Sequence, residues 1–423
     1  ERGRGGELVI ESTDRQVSLE CRIPATIEVV GAEKGTGEDE VIYLPSISYP
    51  VLRGFPPGEL RIIIRHDDKT IEFTHEERGV SYRLPKTLQV LPPPPDISPN
   101  RRIVLDPFRC EAIRAATKTV YPPETATFRS SPLAHSVYLH FDGKNLLIGG
   151  VQPVALFLAL FDDEGVEKEG GSDSFYFFVP YYAAVALVRA FLIFSGRRTG
   201  VEEEEVEEDV EGEGQRRTEE EALRPQEKET GAPPPTFLAE IEDGEEKDEP
   251  YAVGRLIRVT CPQRGFRMIS SAVEIRRSPF DLRALVPDPD LCIYLPVAAL
   301  KEALSRLTAL RKDVPIFFTF NPESSVLHLR TKEHGIEGHE EIWVEEVEDK
   351  RVEEKGSEYT IAANAEVLQQ GLAALSSLSQ TEDTYSLGFV NSGQRPIITF
   401  PRAIEKGKGL SYPLHLITPI KGG

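Results

Sequence analysis

Two histidines, His334 and His339, lie among glutamates in the segment EHGIEGHEE. Imidazole and carboxylate groups are common metal ligands, so residues of these types could form a metal site. The eight histidines of the chain, however, follow no spacing typical of metal motifs. The acidic runs EEIWVEEVEDKRVEE and EEKDEP could bind hard cations, but solvated charged faces are much commoner. We therefore interpret EHGIEGHEE as a solvated hairpin tip, and we expect neither a metal nor a cofactor.

The sequence also lacks the motifs of the common enzyme classes. It contains no Walker loop, no HExxH, no GxSxG and no Rossmann glycine fingerprint, so we expect a protein that is not an enzyme. The four cysteines have no CxxC spacing, which favours reduced, buried thiols and a cytoplasmic location. The most apolar run, Val179–Phe194, contains Arg189 and is shorter than the ~20 residues of a bilayer span, so no membrane partner is expected.

One local pattern that could position functional side chains occurs five times. An apolar strand meets a proline or a small polar residue, a short amphipathic helix follows, and a two-stranded hairpin comes next. Repeated units of this kind usually pack against each other and bury an apolar face that one unit cannot bury alone. The copies begin at VIYLP (41–45), IVLDP (103–107), YFFVP (176–180), CIYLP (292–296) and YTIAAN (359–364).

The copies group into three predicted domains. The prolines at 92–95 form a stiff linker, and a second boundary precedes residue 291. The predicted domains are residues 1–95, 96–290 and 291–423. The second and third contain two copies each. The first contains one copy and begins in a strand, which indicates that an upstream helix and strand are missing from this chain.

An acidic segment interrupts the second predicted domain. Residues 201–230 hold fourteen Asp or Glu against four Lys or Arg, so they carry −10 of the net charge of −21. Such a composition has too few large apolar residues to fold, and it predicts a disordered insertion over about 199–235. The insertion could be a solubilising tether, or a DNA mimic that contacts a basic partner.

Three two-copy blocks in this order resemble the bacterial sliding clamp, the β subunit of DNA polymerase III. The C-terminal third carries the most specific similarity, in YLPVAALKEALSRLTAL, in IAANAEVLQQGLAALSSL and in the terminal strand YPLHLITPIKGG. RGFRMISSAVEIRRSPFDLRALVP is similar to the strand and connector between the second and third domains of that family. The resemblance covers nearly the whole chain apart from the insertion.

The resemblance implies an α+β fold of three similar domains, each with two helices packed on antiparallel sheets. Two subunits would join head to tail into a ring that encircles duplex DNA without reading its sequence. Such a ring tethers the replicative polymerase for processive synthesis, is opened by a clamp loader, and binds other proteins that carry a clamp-binding motif. Twelve helices would line the hole and present scattered basic residues to phosphates.

Basic residues on or near the predicted helices are the candidates for this DNA-facing role. Arg114 and Lys118 are four residues apart, opposite the apolar face of the helix predicted over Asp106–Val120. The helix near Val367–Leu378 exposes no basic residue, which predicts a less positive lining than usual. The DNA-facing candidates are Arg53, Arg114, Lys118, Arg189, Arg197, Arg198, Lys301 and Arg306.

The family also implies an apolar pocket between the second and third domains that receives a short linear peptide. In this sequence Gly150–Leu156 replaces the usual Ala-Thr-Asp-Gly-His-Arg-Leu-like run, and Thr418 stands where Met is common. These changes put the standard peptide specificity in doubt, and the same residues could simply pack the sheets. The pocket candidates are Pro153, Val154, Leu156, Phe280, Leu285, Leu416, Thr418, Pro419 and Ile420.

Ring closure would use the first domain's edge strand near Val80 and Tyr82, which would meet Leu307 and Leu310 of the other subunit. Pairing an exposed sheet edge with a partner removes an aggregation liability. The altered pocket, the acidic insertion and the helix without basic residues also suit a divergent clamp-like adaptor that binds proteins without encircling DNA. An enzyme is the other alternative, and its motifs are absent.

Overall fold

The computed structural model describes most of the chain. The described residues are 4–13, 17–27, 43–44, 59–65, 70–85, 94–123, 132–162, 166–168, 174–197, 234–243, 252–272, 282–310, 315–333, 336–351, 358–378, 383–390, 397–402 and 413–418. The helix predicted to follow VIYLP (41–45) and the acidic insertion lie outside them, apart from the last two residues of the insertion range. None of the helices in these ranges is both long and apolar enough to cross a bilayer.

The chain divides into two compact units, Glu1–Pro95 and Asp96–Gly423. In the first unit, β1 (Arg4–Thr13) pairs antiparallel with β2 (Val17–Ile27). A separate sheet has the order β3 (Arg61–Arg65), β4 (Thr70–His75) and β5 (Val80–Pro85). Its small core consists of Ile71, Phe73 and Leu84, with Leu44 and Ile62 packed against them. The three predicted domains stay a prediction.

The second unit has four described helices, each preceded by a strand of the repeated pattern. Side-chain caps mark the starts of two of them: the Asp106 carboxylate accepts a hydrogen bond from the Arg109 amide at 2.8 Å, and the Asn364 side chain accepts one from the Val367 amide at 3.2 Å. The helices are α1 (Pro107–Thr119), α2 (Tyr181–Phe194), α3 (Val297–Leu310) and α4 (Ala365–Leu378).

Eighteen described strands accompany these helices. In the N-terminal half of the unit they are β6 (Arg101–Leu105), β7 (Ser136–Phe141), β8 (Asn145–Gln152), β9 (Ala155–Asp162), β10 (Val166–Lys168), β11 (Phe175–Pro180), β12 (Phe237–Asp243), β13 (Ala252–Cys261) and β14 (Phe266–Ser271). In the C-terminal half they are β15 (Leu291–Pro296), β16 (Pro315–Asn321), β17 (Val326–Glu333), β18 (Ile336–Trp343), β19 (Glu346–Asp349), β20 (Tyr359–Asn364), β21 (Thr384–Phe389), β22 (Ile397–Pro401) and β23 (Leu414–Ile417).

Four copies of the predicted strand–helix–hairpin pattern are confirmed in this unit. Within each pair of consecutive copies, the leading strand of one copy joins the sheet formed by the hairpin of the other. β6 pairs with β12 of the next copy, while β11 pairs back with β7. The same exchange recurs further along the chain, where β15 pairs with β21 and β20 pairs with β16. Because each copy completes its neighbour's sheet, one copy alone could not satisfy its strand edges.

A single sheet runs through both halves of the second unit. Its order over the relevant part is β11-β7-β8-β9-β23-β22-β21-β15, and the β9–β23 pair joins the two halves. The helices pack side by side in the order α2-α1-α4-α3. A Cβ atom on Gly150 would come within 2.5 Å of the Ala116 carbonyl oxygen, so this glycine allows α1 to lie close to β8.

Candidate interaction surfaces

The predicted peptide site falls where β9 meets β23. Leu416 pairs with Leu156 and Ile417 pairs with Ala155. Beyond the strand ends, the Thr418 amide donates to the Val154 carbonyl at 3.0 Å, and the Thr418 hydroxyl donates to the Pro153 carbonyl at 3.2 Å. The structure thus brings together residues that are more than 250 positions apart in the sequence.

At this junction, different parts of the molecule pack against the two faces of the sheet. Side chains alternate along a strand, so Phe157 and His415 point to one face while Leu156 and Leu416 point to the other. On the first face the helices α1 and α4 pack against the sheet. The second face belongs to an apolar cluster that includes Leu158, Leu414 and Leu282. The peptide-site residues therefore lie on the face opposite the helices.

The pocket candidates separate into a buried floor and an exposed rim. Leu156 and Leu416 are buried. Val154 and Leu285 keep 38% and 49% of their surface exposed, which is high for large apolar side chains, and Pro153 and Thr418 are exposed as well. Apolar side chains left open beside an apolar floor can contribute to binding when a ligand covers them. Phe280, Pro419 and Ile420 lie outside the described residues.

The connector that carries Leu285 is tied to the hairpin of β7 and β8. Arg283 donates to the Asp142 carboxylate at 2.9 Å, and the backbone amides of Asn145 and Lys144 donate to the same carboxylate at 2.8 and 3.0 Å. Burial opposes ionisation of Asp142, but these hydrogen bonds and the Arg283 charge together hold its pKa below the ordinary value. The negative charge of Asp142 therefore anchors the connector.

Sequence reasoning missed two residues of this surface. Leu282 is buried against Gly149 and Leu158, and Leu158 extends the floor formed by Leu156. The period of two along β9 could have identified Leu158, because residues two apart share a face. No local pattern distinguishes the inward Leu282 from the outward Leu285.

Two of the DNA-facing candidates are engaged by one buried carboxylate. Glu111 of α1 accepts a hydrogen bond from Arg114 at 2.6 Å and another from Arg197, just beyond the end of α2. These ion pairs offset part of the positive charge that the helices would offer to phosphates. Lys118 and Arg189 are exposed on α1 and α2, whereas Arg53 and Arg198 lie outside the described residues.

The candidates on α3 are also paired. Arg306 donates to both oxygens of Glu340 at 2.8 and 2.9 Å, and it also contacts Glu302 of its own helix. Lys301 donates to the Ser376 hydroxyl at 2.6 Å, and partial burial lowers its pKa. Among the described DNA-facing candidates, at least four therefore form hydrogen bonds or ion pairs within this unit.

The dimer candidates fall in different environments. β5 pairs with β4 alone within its described three-stranded sheet, and it carries the half-buried Val80 and the exposed Tyr82. Leu307 is buried within the second unit, and Leu310 ends α3. Their proposed role between subunits stays a prediction.

Comparison with solved structures gives the same fold at low sequence identity. The β subunit of DNA polymerase III from Pseudomonas aeruginosa has 14% identity and a TM-score of 0.64, covering 99% of this chain and 91% of that one. Helicobacter pylori β clamp with carprofen has 13% identity and a TM-score of 0.65, covering 98% and 89%. The same clamp bound to a DNA ligase peptide has a TM-score of 0.62 at 13% identity, covering 98% and 89%.

Neither the protein-family models nor the curated proteins include a match to this chain. The structural resemblance nevertheless extends over nearly the full length, whereas the sequences have diverged far. The resemblance expected from the repeated pattern is therefore confirmed at the level of the fold. This chain has the α+β fold of the bacterial DNA polymerase III β subunits, the sliding clamps.

Proposed function

We propose that this protein is a non-enzymatic sliding clamp of DNA replication. Two copies, each of three domains, form a head-to-tail ring around duplex DNA. The ring holds the replicative polymerase, and a clamp loader places it on DNA. The observation that carries this proposal is the row of helices α2-α1-α4-α3, packed on a sheet that continues from one half of the second unit to the other.

A helix layer backed by a continuous sheet suits topological retention. The sheet supplies a continuous series of backbone hydrogen bonds, so it resists separation without strong contacts to the DNA. Helices can then meet the phosphates loosely, through a modest number of basic side chains and intervening water. Lys118 and Arg189 are the exposed candidates on α1 and α2.

The opposite face of the same sheet supports the partner role. The solved Helicobacter pylori clamp is bound to a DNA ligase peptide. Here the buried floor of Leu156 and Leu416, with the exposed rim of Val154 and Leu285, offers an apolar surface of the kind that short peptides fill. We assign polymerase, loader and other motif-bearing partners to this surface.

A second candidate function is a clamp-like adaptor that binds proteins without encircling DNA. The ion pairs of Glu111 with Arg114 and Arg197, and of Glu340 with Arg306, favour it because they reduce the charge available to phosphates. The net charge of −21 adds long-range repulsion of DNA. An adaptor has no need to close a ring.

The two functions differ in assembly and in the way DNA holds the protein. A clamp should sediment at twice the chain mass of 47.1 kDa. After loading by the cell's own clamp loader, it should stay on nicked circular DNA and dissociate when the circle is linearised. The clamp proposal would be wrong if the protein were monomeric in solution. It would also be wrong if the protein stayed on the DNA equally well before and after linearisation.

Variants at the proposed subunit contact make this test specific. Tyr82→Arg places a charge on the outer edge of β5 and should yield monomers that are not retained on the circle. Phe108→Arg changes an aromatic residue on α1 that is even more exposed, and this variant should remain dimeric. Dissociation of both variants, or of neither, would remove the assignment of β5 to the interface.

A further inference from the structure

Three potential metal ligands converge on the β17–β18 hairpin. His328 lies directly opposite Glu341 in the antiparallel register, and His339 comes two residues before Glu341 on the same strand. Alternation along the strands places all three side chains on one face of the sheet. His339 and Glu341 are exposed, and His328 is half-buried, so a solvated ion can reach the site without unfolding the hairpin.

The ligand atoms form a compact triangle. His328 Nδ1 is 3.3 Å from His339 Nε2 and 3.4 Å from Glu341 Oε1, and the third side, from His339 Nε2 to Glu341 Oε1, is 3.7 Å. In tetrahedral zinc sites, metal–ligand bonds of about 2.0–2.2 Å separate neighbouring ligand atoms by roughly 3.3–3.6 Å. The triangle therefore has nearly the size of one face of such a tetrahedron.

A hydrogen bond between the imidazoles accounts for only part of this arrangement. In such a bond one nitrogen donates along the line to the other, which offers a lone pair. Glu341 Oε1, another lone-pair donor, faces both nitrogens at once, so three electron-rich atoms meet around one point. A cation at that point satisfies all three. The two rings are stacked at 13° with their centroids 5.5 Å apart.

We propose that His328, His339 and Glu341 bind a Zn²⁺-type transition-metal ion, with the fourth coordination position open to water or to a ligand from a bound molecule. Two imidazoles and one carboxylate suit Zn²⁺ and Cu²⁺ better than Mg²⁺ or Ca²⁺, which prefer all-oxygen sites. Glu341 carries the only negative charge of the triad.

The single tryptophan of the chain is a built-in reporter for this site. Trp343 follows Glu341 by two residues on β18, shares its face, and is 73% exposed. Two residues along a strand span about 6.6 Å, which is close enough for bound Cu²⁺ to quench the indole fluorescence. Zn²⁺ has a filled d shell and competes for the site without quenching.

The test uses the full chain, titrated with Zn²⁺ in a calorimeter and with Cu²⁺ by Trp343 fluorescence. Expected are one tight equivalent of Zn²⁺, quenching that saturates with one Cu²⁺, and recovery of fluorescence when Zn²⁺ is added. In metal sites, even a change to a group that only supports a ligand costs about 10–100-fold in affinity. His328→Gln combined with His339→Gln, and Glu341→Gln alone, should therefore each weaken binding at least about tenfold.

Glu337→Gln is the matched control, because it removes an exposed carboxylate from the same strand without touching the triad. Its metal affinity should equal that of the unmodified chain. Circular dichroism spectra unchanged in every variant would confirm that the hairpin folds. Equal Zn²⁺ affinity in the triad variants and the unmodified chain would overturn the proposal. So would binding only to many weak equivalents, because the acidic surface alone would then account for it.

Discussion

His415 shows how the sequence sets the chemistry of a single buried position. It lies on the helix-facing side of β23 against Gly371 of α4, where a Cβ atom on the glycine would overlap the imidazole. The side chain is 2% exposed, and its Nδ1 atom has no hydrogen-bond partner among the described residues. Burial lowers the pKa of His415 from 6.5 to about 4, so the imidazole is neutral at neutral pH.

This shift predicts acid sensitivity with a definite sign. Above the unfolded-state pKa of 6.5, both states carry a neutral imidazole and His415 adds no pH dependence. As the pH falls towards 4, the unfolded chain takes up a proton that the folded chain refuses, so the free energy of unfolding decreases. Between about pH 7.5 and about pH 5.5 the loss should be about 1 kcal/mol.

Urea unfolding at those two pH values measures this loss. His415→Leu and His415→Gln both remove the titrating group, one without and one with a polar replacement. Both should therefore be less acid-sensitive than the unmodified chain by about 1 kcal/mol. If both variants keep the full acid sensitivity, the carboxylates must cause it and the His415 assignment is wrong.

At the residue scale, the family resemblance could bring distant residues together, whereas contacts that depend only on strand register could not be predicted. The family resemblance assigned Leu156 and Leu416 to one predicted pocket, and the strand register places them opposite each other. The contact of His328 with His339 was not predicted, because it depends on the exact register of β17 and β18. A one-residue shift in this register would place His328 on the face of the sheet opposite to His339 and Glu341.

At the element scale, helices were predictable because their signals are local. Asp106 followed by Pro107 marks the start of α1, and the apolar period within each helix marks its buried stripe. The exchange of β6 and β11 between copies was not predictable from spacing, since any apolar strand of suitable length fits either partner. Strand pairing is a property of the assembled sheet.

The rim of the proposed peptide surface yields a prediction at this scale. Val154 lies between β8 and β9, and Leu285 ends the short 3-10 turn Leu282–Leu285 of the connector. Both side chains are exposed, so both can be truncated without opening the core. Val154→Ser combined with Leu285→Ser should weaken binding of a clamp-binding-motif peptide by at least about tenfold. Full burial of a large apolar side chain contributes about 1.5–3 kcal/mol, and each of these is only partly exposed beforehand.

Fluorescence polarisation with a labelled peptide measures this change. Ile193→Ser is the matched control, since it truncates an exposed aliphatic side chain on α2, away from this surface, and should leave the affinity unchanged. Leu156→Ala is less suitable, because a buried leucine truncated in a core typically costs 2–5 kcal/mol in stability. Equal affinity of the rim variant and the unmodified chain would show that these residues only complete the sheet edge.

At the scale of the whole molecule, the fold favours a role on DNA, whereas the net negative charge opposes an approach to DNA. A clamp must approach a polyanion, yet the chain carries a net charge of −21. Residues 201–230 account for −10 of it, and removal of that segment would leave −11. The segment follows α2 and precedes β12. Helix α2 packs on α1, and β12 pairs with β6 and β13, so other elements hold each of the two flanking elements in place.

We predict that deletion of residues 201–230 preserves folding and dimerisation. Changes away from packed contacts usually alter stability by less than about 0.5 kcal/mol, so the melting temperature should move by no more than about 2 °C. Removing ten negative charges should also raise the rate of association with DNA at low salt, and this gain should fade as salt screens it.

Replacement of the same residues by a neutral Gly-Ser linker of equal length separates charge from loop length. The linker variant should match the deletion in DNA association and the unmodified chain in melting temperature. Calorimetric melting and salt-dependent DNA binding kinetics measure the two effects. A large loss of stability in both variants would mean that the acidic segment packs against the fold, and it would then contribute structure as well as charge.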